Sequence, residues 1–294
     1  MSLIPLTQRT YYMPAEKETD RPVFGLVCGD RCSLVVDGGT SPRHALEFRA
    51  EAAQISVAPL RYGAITHWHW DHVFGIKALN LITIAHRETE AILTEWRGFS
   101  WDDTALEKHV AEGRLPAFSR DCLKQEMTSV HDRQIGAVDI QFTQELTIDL
   151  GGVTCVIEHV GGSHTDDSVI IYVPEEKVLF LGDCIYGRRH HGMYGYSRAT
   201  LYPMLQAIRK YPADHYLISH EEPYTSAKMD SLMDNLETCG DLVGDRISAG
   251  QAVEDFKRLH GKDPDEEATF YMECFANVNR VEKEKGACRQ TPKR

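Results

Sequence analysis

The chain has 294 residues, 42% of them hydrophobic and 26% charged, with a net charge of −12. That length suits one large domain or a domain with an appendage, and the composition is that of an ordinary globular protein. The acidic excess leaves no electrostatic footprint for nucleic acid and argues against an anionic membrane surface, so neither is expected as a partner.

In chain order, the N-terminal MSLIPLTQRTYYMPAEKETDRP has no basic start followed by an apolar core, as a signal peptide would. VFGLVCGDRCSLVVDGG (23–39) reads as a hairpin, two apolar runs joined at Gly29-Asp30. RHALEFRAEAAQ (43–54) has helical character, and APLRYGAIT (58–66) reads as a short buried strand. DHVFGIKALN (71–80) should begin a helix, LITIAH (81–86) return as strand, and residues 87–127 be mostly helical. Strands follow at VDIQFTQ, LTIDL, VTCVIEHV, SVIIYV and KVLFLGD, punctuated by Gly-Gly and Pro-Glu-Glu turns. LYPMLQAIRKY (201–211) is an amphipathic helix, HYLIS (215–219) a brief strand, and everything past Glu222 helical or extended and polar. The terminal VEKEKGACRQTPKR reads as a frayed tail. Strands with interspersed helices in two similar halves imply two sheets with helices outside them, a four-layer α/β arrangement.

No apolar run approaches the roughly 20 residues that span a bilayer. Eight cysteines make no CxxC pair, and they are expected as reduced thiols of a cytoplasmic protein. Cys28 and Cys32 flank the Gly29-Asp30 turn and read as half-buried strand residues.

The chemistry concentrates in THWHWDH, residues 66–72. With 14 histidines in the chain, a chance His-x-His-x-Asp-His is on the order of a few in a thousand. His67 and His69 lie two apart at a strand end and can face one point. Asp71 and His72 follow on the turn into a helix and can face a second. Imidazole with carboxylate suits zinc, iron or manganese, and carboxylates are natural bridges between two such ions. Other strand ends carry His164 (in VGGSHTDDS), Asp183 (in LFLGDCIYG) and His220 (in YLISHEEP). Each alone is weak; their recurrence at strand ends is hard to explain as packing.

The sequence of Asp37-Gly38-Gly39, THxHxDH, a GxxH segment, a Gly-Asp pair and a final Ser-His resembles the metallo-β-lactamase-fold hydrolase superfamily over roughly residues 20–222. The resemblance implies an αββα sandwich as the catalytic domain (1–222), followed by a helical C-terminal extension and tail (223–294). It also implies two divalent metal ions, zinc first and iron or manganese as alternatives. His67, His69 and His164 would bind one, Asp71, His72 and His220 the other, and Asp183 would bridge them. Asp37 would support the ligands from behind. The β-lactamases that name the family carry cysteine where Asp183 stands, and they are exported; Cys184 is one position off, which points the comparison to the glyoxalase II and lactonase-like branch.

Tyr186, three positions after Asp183, matches a tyrosine that in lactone-hydrolysing members donates to the substrate oxyanion; the alternative is a tyrosine packed in a loop. GRRHHGMYGYSR (187–198) reads as a loop whose Arg188, Arg189, His190 and His191 either meet a substrate anion or are ordinary solvated charges. Trp96, Phe99 and Trp101 read as the glue between helices and sheet, the alternative being the roof of an apolar substrate pocket. Met229, Leu232, Leu236, Phe256 and Leu259 read as core or homodimer packing, with a substrate-binding appendage like that of glyoxalase II members as the alternative. The expected function is hydrolysis of a small-molecule ester, thioester or lactone by a metal-bridging hydroxide, with Asp71 taking the proton and Tyr186 steadying the oxyanion. The alternatives are a di-iron redox enzyme of the same fold, a phosphodiester hydrolase, and a binding protein with a vestigial site.

Overall fold

The structure is a computed structural model that describes residues 2–55, 58–190 and 192–289. The chain divides into two compact units, the first made of Met1–Val160, Asp167–Asp183 and Pro212–Tyr224. The second comprises Gly161–Asp166, Cys184–Tyr211 and Thr225–Arg294.

In the first unit a seven-stranded sheet runs in chain order: β1 (Ile4–Pro5), β2 (Thr10–Met13), β3 (Phe24–Cys28), β4 (Ser33–Val36), β5 (Leu60–Ala64), β6 (Ile82–His86) and β7 (Ile140–Phe142). The first four strands are antiparallel, and β4 to β7 are parallel. The second sheet is built from β8 (Glu145–Asp149), β9 (Thr154–His159), β10 (Val169–Val173) and β11 (Val178–Gly182). Its remaining strands follow a hairpin in the second unit, β12 (Arg188–His190) and β13 (Met193–Gly195), and are β14 (His215–Ile218) and the short β15 (Tyr224–Thr225). The order is β15-β14-β11-β10-β9-β8, with β11 and β14 parallel. The sheets bury alternate residues against each other: Val27, Leu34 and Val36 from the first meet Ile157, Ile171, Val173 and Phe180 from the second.

Helices cover the outer face of the first sheet. α1 (Pro42–Ala52), α2 (Trp70–Val73) and α3 (Ile76–Leu79) are followed by α4 (Arg87–Arg97), α5 (Asp103–Ala111) and α6 (Ala117–Glu126). Ala45, Phe48 and Leu79 pack on Phe24, Leu26 and Val35. Trp96, Trp101, Leu106 and Leu123 form a second cluster with Ile65 and Ala85, and Phe99 packs at its edge, so these aromatics join helices to sheet as expected.

The second unit holds the β12–β13 hairpin and α7 (Arg198–Arg209), α8 (Ser226–Val243), α9 (Gly250–His260) and α10 (Glu266–Arg289). Met229, Leu236 and Phe256 are buried, Leu232 is half-buried and Leu259 is exposed.

Four local readings change. The 71–80 segment is two short helices, because Gly75 donates its N–H to Gly39 O (3.1 Å) rather than continuing one ladder. A Cβ at Gly75 would lie 2.1 Å from Gly38 O, so the break is where the Asp37-Gly38-Gly39 loop seats. Arg188–His190 and Met193–Gly195 pair as antiparallel strands where a loop was expected. The expected tail is helical through Arg289, while residues 290–294 lie outside the described residues. Cys32 lies in the turn ahead of β4, buried, and Cys28 ends β3 half-buried; none of the seven described cysteines is in a disulfide. Among the described residues no helix is long and apolar enough to cross a membrane.

Candidate metal centre

The parallel pairing of β4, β5 and β6, and of β11 with β14, gathers carboxyl ends of strands at one edge of each sheet. Such ends are where open α/β sheets place ligands. Asp37 follows β4, Thr66 to His69 follow β5, Asp183 follows β11 and His220 follows β14. Asp71 and His72 lie in α2, for which His69 is the residue before the first turn. A Cβ at Gly182 (φ +54°) would come within 2.7 Å of Thr66 Cβ and Oγ1, so glycine is what lets β11 end against the histidine-bearing turn.

Within the first unit, Asp71, His72, Asp183 and His220 bring one ligand atom each to within 4.8 Å of one another. His72 Nε2 is 3.1 Å from Asp71 Oδ2 and 3.6 Å from Asp183 Oδ1. His220 Nε2 is 3.3 Å from Asp71 Oδ2 and 3.6 Å from Asp183 Oδ2. His67, His69 and Asp183 converge in the same unit, with His67 Nε2 3.7 Å from Asp183 Oδ2. His67, Asp71, His72 and Asp183 are buried, and His69 and His220 half-buried.

Asp37, held at φ +73°, orients the imidazoles. Its Oδ2 is 2.9 Å from His72 Nδ1, and its Oδ1 accepts from both Thr66 N and Thr66 Oγ1 at 2.8 Å. Because that hydroxyl hydrogen goes to Asp37, Thr66 Oγ1 is the acceptor for His67 Nδ1–H at 3.1 Å. Both rings are thereby fixed with Nδ1 protonated and the Nε2 lone pair turned inward, as in metal-ligating histidines backed by a carboxylate. Asp20, also at positive φ, brings Oδ1 to 3.7 Å from His220 Nδ1.

A neutral His72 would set its Nε2 lone pair against two carboxylates, so this point calls for positive charge, either a proton on Nε2 or a metal cation. The electrostatics agree. Burial opposes a charged His72, yet Asp71, Asp37 and Asp183 outweigh it and hold the imidazole well above its ordinary range. His220 is raised likewise by Asp183 and Asp71 against its burial. Burial would raise Asp71 and Asp183, but the neighbouring histidines hold both below the usual carboxylate range. Burial and the Asp71 charge push Asp20 up to about 6. The donor set is one that fits divalent metal.

His164 belongs to the Gly161–Asp166 stretch of the second unit. There its carbonyl accepts from Arg188 Nε at 3.2 Å, and its ring centroid is 6.2 Å from that of Tyr186. Arg188 also pairs with Asp166, so it braces the His164 segment. Arg189 stacks over Tyr194, with Cζ 5.8 Å from the ring centroid. His191 lies outside the described residues. A further grouping, His86 with Glu88 and His159, does not make a comparable site. Its two rings stack at 3.9 Å and 2°, so their in-plane lone pairs run parallel instead of meeting, and His86 Nε2 is spent on Thr143 O. Sequence reading missed Thr66, Asp20 and the buried Asp167, whose roles come from contacts rather than motif position.

The Metallo-beta-lactamase superfamily model matches residues 22–249, and the chain belongs to that superfamily. Its sheets and flanking helices are the αββα sandwich the resemblance implied, with helices at the C-terminus. The chain is similar to acyl-coenzyme A thioesterase MBLAC2 of Bos taurus, 26% identical over 196 residues, covering 62% of this chain. The match spans 65% of that protein's length. Among solved structures, a double mutant of the sec-alkyl sulfatase PisA1 aligns with a TM-score of 0.66 at 14% identity, over 99% of this chain and 52% of that one. A metallo-beta-lactamase from Pontibacter korlensis aligns with a TM-score of 0.55 at 18% identity, over 80% of this chain and 99% of its own.

Proposed function

We propose that the protein is a dinuclear metal-dependent hydrolase acting on a small-molecule ester, thioester or lactone, with thioesters first. The observation that carries the reading is the inward-facing Nε2 of His72 set against Asp71 and Asp183. His67, His69 and His164 would hold one cation, Asp71, His72 and His220 the other, with Asp183 shared. Zinc is the first candidate, and residues 223–294 are taken as the extension to the catalytic domain. Two divalent cations held there supply Lewis-acid polarisation of a carbonyl and lower the pKa of water.

The chain's own residues do the rest. Asp71, kept ionised between His72 and His220, accepts the proton of the attacking water at Oδ2 and gives it to the departing thiolate or alkoxide, so that the acid and the thiol or alcohol are the products. Asp37 and Thr66 keep His67 and His72 from rotating as charge develops. Tyr186 donates its hydroxyl hydrogen to the developing oxyanion. The thioester preference draws on the name of the bovine relative.

The test is metal analysis of protein purified without chelator, followed by a screen of acyl-CoA thioesters, aryl esters, lactones and phosphodiesters. About two metal equivalents and hydrolysis of a carbonyl substrate are expected. A stoichiometry near zero after reconstitution with zinc, manganese or iron sinks the reading, and turnover of phosphodiesters alone reassigns the substrate class.

A further inference from the structure

The turn that carries His67 and His69 has a single residue between them, Trp68, and its backbone N–H is held by a carboxylate from elsewhere in the chain. Asp167 Oδ2 accepts from Trp68 N at 3.0 Å and from Thr89 Oγ1 at 2.7 Å. Asp167 is 1% exposed, Thr89 is fully buried in the first turn of α4, and all three residues lie in the first unit. On the other side of His67, the N–H of Thr66 goes to Asp37. Val169, two residues past Asp167, donates its N–H to Thr66 O at 2.9 Å. The peptide after His67 is therefore held by the buried Asp167 through Trp68 N, the peptide before it by Val169 N through Thr66 O, and the next one back by Asp37 through Thr66 N.

We propose that Asp167 is a positioning residue that sets the backbone of the His67–His69 turn, and with it the direction in which both imidazoles face. Metal retention at the His67/His69 group then depends on Asp167 more than retention at the Asp71/His72/His220 group does. The inference rests on the dinuclear reading for its metal consequence, while the hold on the turn exists without metal. Asp37 acts on the rings, through His72 Nδ1 and, by way of Thr66, His67 Nδ1. Asp167 acts on the main chain from which both rings of the other group project. An N–H donating to a carboxylate makes a stronger, shorter bond than one donating to a neutral acceptor, and it resists a peptide rotation that would swing His67 and His69 apart.

Two readouts test this. In chelator-stripped protein titrated with zinc against a chromophoric competitor, Asp167→Ala should weaken one of the two equivalents by about 10-fold to 100-fold, the range for residues behind metal ligands. The other equivalent should stay near wild type. Asp167→Asn keeps an oxygen able to accept both bonds and should recover most of the lost affinity. Thr89→Val leaves the Trp68 bond in place and should give a smaller loss at the same equivalent. In the metal-free protein, ¹⁵N-edited imidazole spectra of Asp167→Ala should shift His67 and His69 and leave His220 unmoved. Wild-type affinity at both equivalents, an equal loss at both, or unchanged His67 and His69 resonances would overturn the proposal. If Asp167→Ala does not fold, Thr89→Val decides, and wild-type affinity with unmoved His67 and His69 resonances in that variant overturns it. Wild-type protein that takes up no metal counts against the dinuclear reading, and the imidazole spectra still decide what Asp167 does.

Discussion

Asp183 faces histidines of both groups, 3.7 Å from His67 and 3.6 Å from each of His72 and His220. Removing it takes away the anion that both groups share, so Asp183→Ala should reduce metal content to well under one equivalent and abolish turnover. Cys184, one position further and fully buried, should tolerate Ser with metal content nearly unchanged. Strong thiolate-to-cobalt absorption in the cobalt form, lost in Cys184→Ser, would make the thiol a ligand and the Asp183 assignment wrong. Tyr186 separates chemistry from metal binding. Tyr186→Phe keeps the half-buried ring and should lower kcat by about 10-fold to 1000-fold if its hydroxyl meets the oxyanion. KM should move less than kcat, because that bond strengthens as charge builds. Wild-type kcat in the variant removes the tyrosine from the reaction.

At the scale of elements, the strands that deliver ligands were legible because each is an apolar run ending in a chemically distinctive residue, and periodicity with turn residues marks such runs. The helix break at Gly75 was not, since Gly-Ile-Lys-Ala-Leu has helical propensity and what stops it is the carbonyl of Gly38, far away in sequence. The short strands β1 and β2 escaped for the opposite reason: β1 is held by pairing with β2 and β2 by pairing with β3, and neither carries much pattern of its own. Equally invisible was the ion cluster that ties α6 to α1. Glu126, fully buried at the end of α6, accepts from Arg21 Nη2 and Ser41 Oγ, each at 2.7 Å, and from Arg43 Nη2 at 3.0 Å. Burial would raise Glu126, but the Arg21 and Ser41 bonds prevail and bring it down to about 2. Its partners are 105, 85 and 83 residues away, and no local signal encodes such pairing. Glu126→Gln leaves Arg21 with Glu47 as its remaining close anion and replaces charge-assisted bonds by neutral ones, and should cost about 1.5–3 kcal/mol at pH 7. A carboxylate with a depressed folded pKa contributes stability above its unfolded value, here about 4.5, and loses it as pH falls toward 2. Urea denaturation of both proteins from pH 7 to pH 3 should show the gap narrowing below about pH 4.5. A gap constant across that range would deny Glu126 its charge.

For the molecule as a whole, the centre is a concentration of buried charge that some cation must balance. Without metal, protons on His72 and His220 take that part, which is why both are raised by the surrounding aspartates. A histidine whose folded pKa exceeds its unfolded value stabilises fully below about 6.5, and that contribution disappears as pH rises through the folded pKa. The metal-free protein should therefore lose stability as pH rises above about 6.5, where the unfolded chain gives up protons that the folded centre still holds. Metal substitutes for them, and its binding is itself favoured once the imidazoles are neutral. At about 100-fold excess over Kd each site adds about 2.7 kcal/mol, so two sites should raise Tm on the order of 10 °C for a chain of this length. That rise should be larger at pH 8.5 than at pH 6.5, and Asp183→Ala should show little of it at either. Thermal melts with and without zinc at the two pH values measure it. A rise that is equal at both, or greater at the lower pH, would mean that protons and metal do not compete for this centre, and the reading of the His72–Asp71–Asp183 contacts as a cation site would fall with it.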